Sequence, residues 1–202
     1  MKTPSKKLLI ILGVVVVLVV VIYQLFAGNY NKLVKLEENV ETAWAQVQNQ
    51  YQRRYDLIPN LVETVKGAAS HESDVFTQVA EARSNAGGVI NVDSSILDDP
   101  ESFARYQKIQ NDLGQSLQRL LMVTENYPSL QANENFLTLQ SQIEGCENRI
   151  AVERKRYNDS VGEYNTQIRV FPKNIIAGMN GFKAKQRFSA QEEASSAPKV
   201  QF

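Results

Sequence analysis

From about Tyr30 to Arg83 the apolar side chains recur at steps of three and four, and this pattern confines the chain to helices packed side by side. Leu33, Leu36, Val40, Ala43, Val47, Ile58, Leu61, Val65, Ala68, Val75, Val79 and Ala82 mark the stripe, with Trp44 and Tyr51 flanking it and Arg54 lying on it. At its centre stands Arg53-Arg54-Tyr55-Asp56-Leu57-Ile58-Pro59-Asn60-Leu61-Val62. A proline removes one backbone donor and crowds the carbonyl four residues back. The apolar register still passes from Ile58 to Leu61 and Val65, so the segment is expected to be one continuous helix, kinked at Pro59.

Upstream, Leu8 to Phe26 is almost wholly apolar. Nineteen residues of helix rise about 28 Å, close to the ~30 Å hydrocarbon thickness of a bilayer. Tyr23 and Gln24 fall where an interface favours an amphipathic ring. A cleaved signal would want small residues before the cut. Leu25-Phe26-Ala27 and Phe26-Ala27-Gly28 both lack one, so an uncleaved single-pass anchor in the cell membrane is expected. Lys2, Lys6 and Lys7 outnumber Lys32 and Lys35 across the run, which places the N-terminus in the cytoplasm and the main domain on the extracytoplasmic side. The alternative is a cytoplasmic bundle.

Further on, Ser84 to Pro100 breaks the period with Asn85-Ala86-Gly87-Gly88 and two aspartate-rich stretches, a long loop that is either mobile or a contact surface. Asp99-Pro100 then reads as the cap and first residue of a helix whose stripe is Phe103, Ile109, Leu113, Leu117, Leu120 and Leu121. It ends at Glu125-Asn126-Tyr127-Pro128. A last long helix is expected from about Leu130 to Arg169, on Phe136, Leu139, Ile143, Cys146, Ile150, Tyr157, Val161, Tyr164 and Ile168. Asn174 to Phe188 reads as a short final helix, and the tail from Ser189 to Phe202 as disordered. The fold class is all-α: a basic tail (1–7), a transmembrane helix (8–26), and an elongated antiparallel bundle of three to four helices (27–188).

Chemistry is sparse. With 22 basic and 22 acidic side chains there is no excess positive charge for nucleic acid. His71 is the single histidine and Cys146 the single cysteine, with no metal-ligand spacing around either. His71 reads as a solvated helix residue, and Cys146 as a small hydrophobe on the stripe. No partnered nucleophile is legible. The expectation is therefore a non-enzymatic protein without cofactor, whose partners are the bilayer, through residues 8–26, and other proteins or copies of itself. The unusual residues are polar side chains on or beside the stripes: Arg54, Asn148 and Arg154. Arg54 either pairs with a carboxylate on another helix, Glu147 or Glu125, or lays its stem on the stripe and reaches water. The Glu125-Asn126-Tyr127-Pro128 corner is either turn chemistry or a binding site.

Several stretches resemble the LemA family of bacterial membrane proteins. They are Tyr30-Asn31-Lys32-Leu33-Val34, Arg54 to Val62, Glu125 to Asn133, Glu147-Asn148-Arg149-Ile150-Ala151, Arg156-Tyr157-Asn158 and Tyr164-Asn165. The resemblance implies one membrane helix followed by an all-helical domain, with no enzymatic activity established and no catalytic residue to carry over. It also implies an accessory role beside membrane proteases or other membrane proteins, and a short tail outside the cell, opposite to the lysine count. The residues singled out for structural or interaction roles are Arg54, Asp56, Pro59, Asn60, Glu125, Asn126, Tyr127, Pro128, Glu147, Asn148, Arg149, Tyr157 and Asn158.

Overall fold

The computed structural model describes residues 6–89 and 92–189, and among these all regular structure is helical. Helix α1 spans Lys6–Lys66, α2 Ser73–Gly87, α3 Pro100–Thr124, the short α4 Pro128–Gln131, α5 Glu134–Gln167 and α6 Lys173–Asn180; a 3-10 turn covers Ser94–Asp98. The apolar run and the first bundle helix are thus one element of 61 residues, about 90 Å long. It passes through Pro59 without a break. From Ile10 on, its apolar part is long enough to cross a membrane, and its side chains are exposed among the described residues.

Four helices make the body. Arg54 meets Glu147 and Glu37 meets Tyr164, seventeen residues apart on each helix, so α5 runs antiparallel to α1 in constant register. Trp44 packs on Phe103 and Tyr106 while Arg54 reaches Gln110, so α3 runs in the same direction as α1. Gln78 meets Arg119 and Gly87 meets Tyr55, so α2 runs back down between them. The core divides into two apolar clusters. One, nearer the anchor, includes Leu33, Val40, Trp44, Tyr51, Phe103, Tyr106, Tyr157 and Tyr164. The other, at the far end, includes Ile58, Leu61, Val65, Phe76, Leu113, Leu117, Phe136 and Ile143. Each fully buried side chain of this size contributes about 1.5–3 kcal/mol.

The helix starts follow local chemistry. The Asp99 carboxylate accepts from the Ser102 N–H, with Pro100 at the first helical position. Those hydrogen bonds hold Asp99 below the usual carboxylate pKa. Asn133 accepts from the N–H groups of Asn135 and Phe136 and starts α5 there, so the expected helix from Leu130 is in fact a separate turn, α4, followed by α5.

Three further expectations about the elements need correction. The Tyr30–Arg83 stripe is not one helix: the chain turns over at residues 67–72, where Gly67 follows the last turn of α1 and Ala69, not Ala68, is buried. His71 lies on this exposed turn rather than on a helix. The turn lets α2 bury Phe76 and Val79 against α3. Second, the expected Ser84–Pro100 loop, mobile or a contact surface, is shorter and packed: α2 continues through Ser84 to Gly87, and the 3-10 turn covers Ser94–Asp98. Leu97 is fully buried, Val89, Val92 and Ile96 pack on the core, and Gln48 Nε2 donates to the Val92 carbonyl at 3.0 Å. Residues 90–91 lie outside the described residues.

Third, the final helix stops at Asn180, not Phe188. Gly181 takes the left-handed conformation (φ 76°), which ends α6, and residues 182–189 carry no helix. Of the tail expected to be disordered, Ser189 is bonded to Gln107 and residues 190–202 lie outside the described residues. Of the basic tail, residues 1–5 lie outside them, and Lys6 and Lys7 belong to α1.

Candidate functional site

The boundary between the two apolar clusters is a polar layer built around Arg54. This side chain is 2% exposed. Its Nη1 donates to Glu147 Oε1 at 3.0 Å, and its Nη2 donates to the Gln110 backbone carbonyl at 2.9 Å and to Gln110 Oε1 at 2.8 Å. One guanidinium therefore ties α1 to both α3 and α5, using the fixed fork geometry that suits several acceptors at once. It also lies over the Tyr51 ring, 5.1 Å from its centroid. Gly114 on α3 faces it: a Cβ there would stand 3.4 Å from Nη1. The choice left open by the sequence is resolved in favour of pairing, and with Glu147; Glu125 is exposed and far from Arg54 in the fold.

Beside this layer opens a cavity of about 380 Å³ between α1, α3 and α5, lined by Tyr51, Arg54, Gln110, Arg119, Glu147 and Arg154, among others. Tyr51 Oη and Gln110 Nε2 are buried there without a protein partner. Burial pushes the Tyr51 phenol up, with Glu147 adding to that and Arg154 and Arg54 opposing it. Burial, with Tyr51 adding, raises Tyr106 as well, so both rings are neutral donors at physiological pH. Three arginines against one carboxylate suit an anionic or strongly polar group. None of the lining residues is a serine, cysteine or histidine.

A second constellation holds the extended segment 182–189 along the bundle. Asn165 Nδ2 donates to the Lys185 carbonyl at 2.8 Å while the Lys185 N–H donates to Asn165 Oδ1 at 2.9 Å. Asn158 does the same with Phe188, at 3.0 and 2.9 Å, and Gln107 with Ser189, at 3.0 and 3.3 Å. Each side-chain amide offers a donor and an acceptor side by side, so it can pair a residue's N–H and C=O as a neighbouring strand would. Tyr157 Oη donates to the Gln186 carbonyl at 2.7 Å. Lys185, largely buried, pairs with Asp98 at 2.8 Å and Glu37 at 3.0 Å. Burial pulls its pKa down, but the hydrogen bonds it donates to Asp98 and Glu37 outweigh that and hold it raised. Phe188 then joins Trp44, Phe103 and Tyr157 in an aromatic cluster, with ring centroids 5.0 to 6.2 Å apart.

The sequence-derived residues thus separate into three groups. Arg54, Glu147, Tyr157 and Asn158 make structural contacts between elements. In the corner, Tyr127 Oη donates to Glu72 Oε1 at 3.0 Å, tying it to the turn after α1, and Pro128 opens α4; Glu125 and Asn126 are exposed. Asp56, Asn60, Asn148 and Arg149 face solvent, and Pro59 is half-buried within α1. Asn148 therefore does not lie on the apolar stripe as expected: the inward positions of α5 around it are Cys146 and Ile150. Arg154 is half-buried and stacks on Phe188, 4.4 Å from the centroid. Cys146 is buried and its thiol donates to the Gln50 carbonyl at 3.3 Å. Burial, with Glu147 adding, raises its pKa, so it packs as a small hydrophobe. Sequence reasoning missed Gln107, Gln110 and Asn165, whose polar character hid their inward position. The two Tyr-Asn pairs seven residues apart, Tyr157-Asn158 and Tyr164-Asn165, were the available signal.

Comparison with known proteins identifies the family. A family model described as the LemA family matches residues 43–202. Magnetosome protein MamQ 2 of Paramagnetospirillum magneticum is 27% identical over 79% of this chain and 64% of its own length. Magnetosome protein MamQ of Magnetospirillum gryphiswaldense is 25% identical over the same shares. Protein LemA of Metamycoplasma hominis is 21% identical over 78% of this chain and 67% of its own length. The chain thus spans about 64% of the length of the magnetosome relatives it matches. With a long apolar helix leading into an all-helical body, and with the family match covering most of the residues, this chain is a membrane-associated protein that belongs to the LemA family.

Proposed function

We propose that the protein is a membrane-anchored, non-enzymatic scaffold or adaptor that serves the assembly or quality control of membrane proteins. The observation that carries this reading is the continuity of α1, which runs from the apolar segment into the core with no intervening loop. A loop would let the body tumble; a continuous helix holds its faces at a fixed height above the membrane. The docking face we assign is the solvent side of the α1–α5 pair, where Arg53, Asp56, Asn60, Asn148 and Arg149 are all exposed. The stretch from 88 to 99 is a poorer candidate, because Val89, Val92, Ile96 and Leu97 pack on the core. The bundle lies on the extracytoplasmic side by the lysine count, and protease accessibility in sealed vesicles reads that directly.

The test is affinity capture of the full-length protein from native membranes, with Asp56→Lys and Arg149→Glu compared against wild type. Both side chains lie outside the core, so helicity and membrane fractionation are expected to stay unchanged while the captured proteins fall at least tenfold. Capture unaffected by either charge reversal would remove this face from the proposal. Recovery of copies of this chain alone would favour a self-assembling structural protein instead.

A further inference from the structure

Beyond the anchor, Met122, Leu137 and Val152 are exposed singly, whereas four large apolar side chains in solvent fall within ten residues at the anchor end of the body. Phe171 is 78% exposed, Met179 73% and Ile175 53%, and Val170 is exposed beside them. Ile175 and Met179 are four residues apart on α6 and share a face. The opposite face of α6 buries Ile176 and Ala177 in the cluster containing Leu33 and Leu36. The constant α1–α5 register brings Gln167, where α5 ends, level with Val34, about one helical turn from Tyr30. Independently, the rings of Tyr30 and Phe182 meet with centroids 5.8 Å apart.

Tyr30 lies four residues beyond Phe26, where the apolar run stops, which is about 6 Å of helix rise. The headgroup layer of a bilayer is about 5–8 Å thick on each side. This end of the body therefore sits within the interfacial layer of any membrane that α1 crosses. Its charge fits that place. From Tyr164 to Phe188 there is no aspartate or glutamate; Lys185 is already paired and Arg187 lies against Gly162 on α5, while Arg169, Lys173 and Lys183 flank the apolar side chains in sequence. Apolar side chains ringed by basic ones are what an anionic headgroup surface binds.

We propose that this end is a lipid-binding foot: Phe171, Ile175 and Met179 enter the boundary between headgroups and acyl chains, and Arg169, Lys173 and Lys183 contact anionic headgroups. Two attachments, the anchor and the foot, fix both the height and the rotation of the bundle, which one helix alone cannot do. The inference rests on α1 crossing the bilayer, and the experiment separates the two. Full-length protein carrying Cys146→Ser is reconstituted in vesicles of phosphatidylcholine and phosphatidylglycerol. Nitroxide labels are placed singly at Phe171→Cys, Met179→Cys, Gln24→Cys and Val152→Cys, and their collision rates with oxygen and with a water-soluble nickel chelate are measured. The labels at 171 and 179 are expected to be shielded from nickel at least fivefold relative to 152, and to read a shallower depth than 24. Labels at 171 and 179 as open to nickel as 152, with 24 shielded, would overturn the foot while leaving the anchor standing. Exposure at 24 as well would overturn both. Shielding at 171 and 179 that vanishes when the protein is diluted in lipid would assign the face to a second copy and overturn the lipid assignment.

Discussion

Replacing Trp44 with alanine is expected to lower the stability of the bundle by about 4 kcal/mol, within the range for deleting a buried aromatic. Trp44 is 2% exposed, and its ring lies 5.1 to 6.1 Å from those of Phe103, Tyr106, Tyr157 and Phe188. It therefore touches α3, α5 and the extended segment at once, from a position on α1. The surrounding rings are large and fixed by their own neighbours, so the space cannot collapse and the cavity cost adds to the lost burial. In a chain of this size the loss lowers the thermal midpoint by roughly 8–16 °C. Phenylalanine at the same position should cost about 1 kcal/mol, because it keeps most of the ring contacts. It also removes an indole N–H that is buried without a partner. Thermal unfolding of the full-length protein, followed by circular dichroism, separates the two variants. Equal effects would mean that packing in this cluster is loose.

Arg54→Met should cost about 3 kcal/mol, a loss of a different kind. The methionine fills space, but it leaves the buried Gln110 Oε1 without its donor and takes the second donor from the Gln110 carbonyl. Glu147 loses least, since its side chain is 40% exposed and turns to solvent. Glu147→Gln is accordingly expected to cost only about 1 kcal/mol, and the double variant should show a coupling of about 1 kcal/mol between the two positions. Additive effects would mean that the 3.0 Å contact between them contributes nothing. The larger share of the Arg54 effect belongs to Gln110, and a Gln110→Leu background should absorb most of it.

The contrast between these two sites bears on what a sequence can reveal. The stripes of α1, α3 and α5 were legible because burial on a helix imposes a period of three to four on side chains that sit close together in sequence. Asp99-Pro100 and the apolar run were legible for the same local reason. Arg54 stood out because a charge on an apolar stripe must find a partner, and Glu147 was among the few carboxylates at a suitable place. The turn after Lys66 was hidden because Val65, Ala68 and Val75 keep a plausible period across it; what decides the break is α2 finding a better surface on α3. The extended segment was hidden more deeply. Ile175, Ile176, Met179 and Phe182 are spaced as a helix would have them. The backbone partners that hold residues 185, 188 and 189 extended are Asn165, Asn158 and Gln107, twenty to eighty-two residues away. Nothing within the segment itself records such partners; the signal lies on α5, in the repeated Tyr157-Asn158 and Tyr164-Asn165 pairs. Exposed Asp56, Asn60, Asn148 and Arg149 carry no such contacts, which is why they enter the functional proposal and not the description of the core.

The continuity of α1 from the apolar segment to Lys66 underlies both the scaffold and the foot, and an intramolecular distance reports it most directly. Nitroxides at Gln24→Cys and Glu63→Cys, in full-length Cys146→Ser protein held in lipid nanodiscs, are separated by 39 residues of one helix, about 58 Å at 1.5 Å per residue. Pulsed electron–electron double resonance is expected to give one narrow peak near that distance. A broad distribution, or one centred well below it, would show a joint between anchor and bundle and contradict the rigid rod.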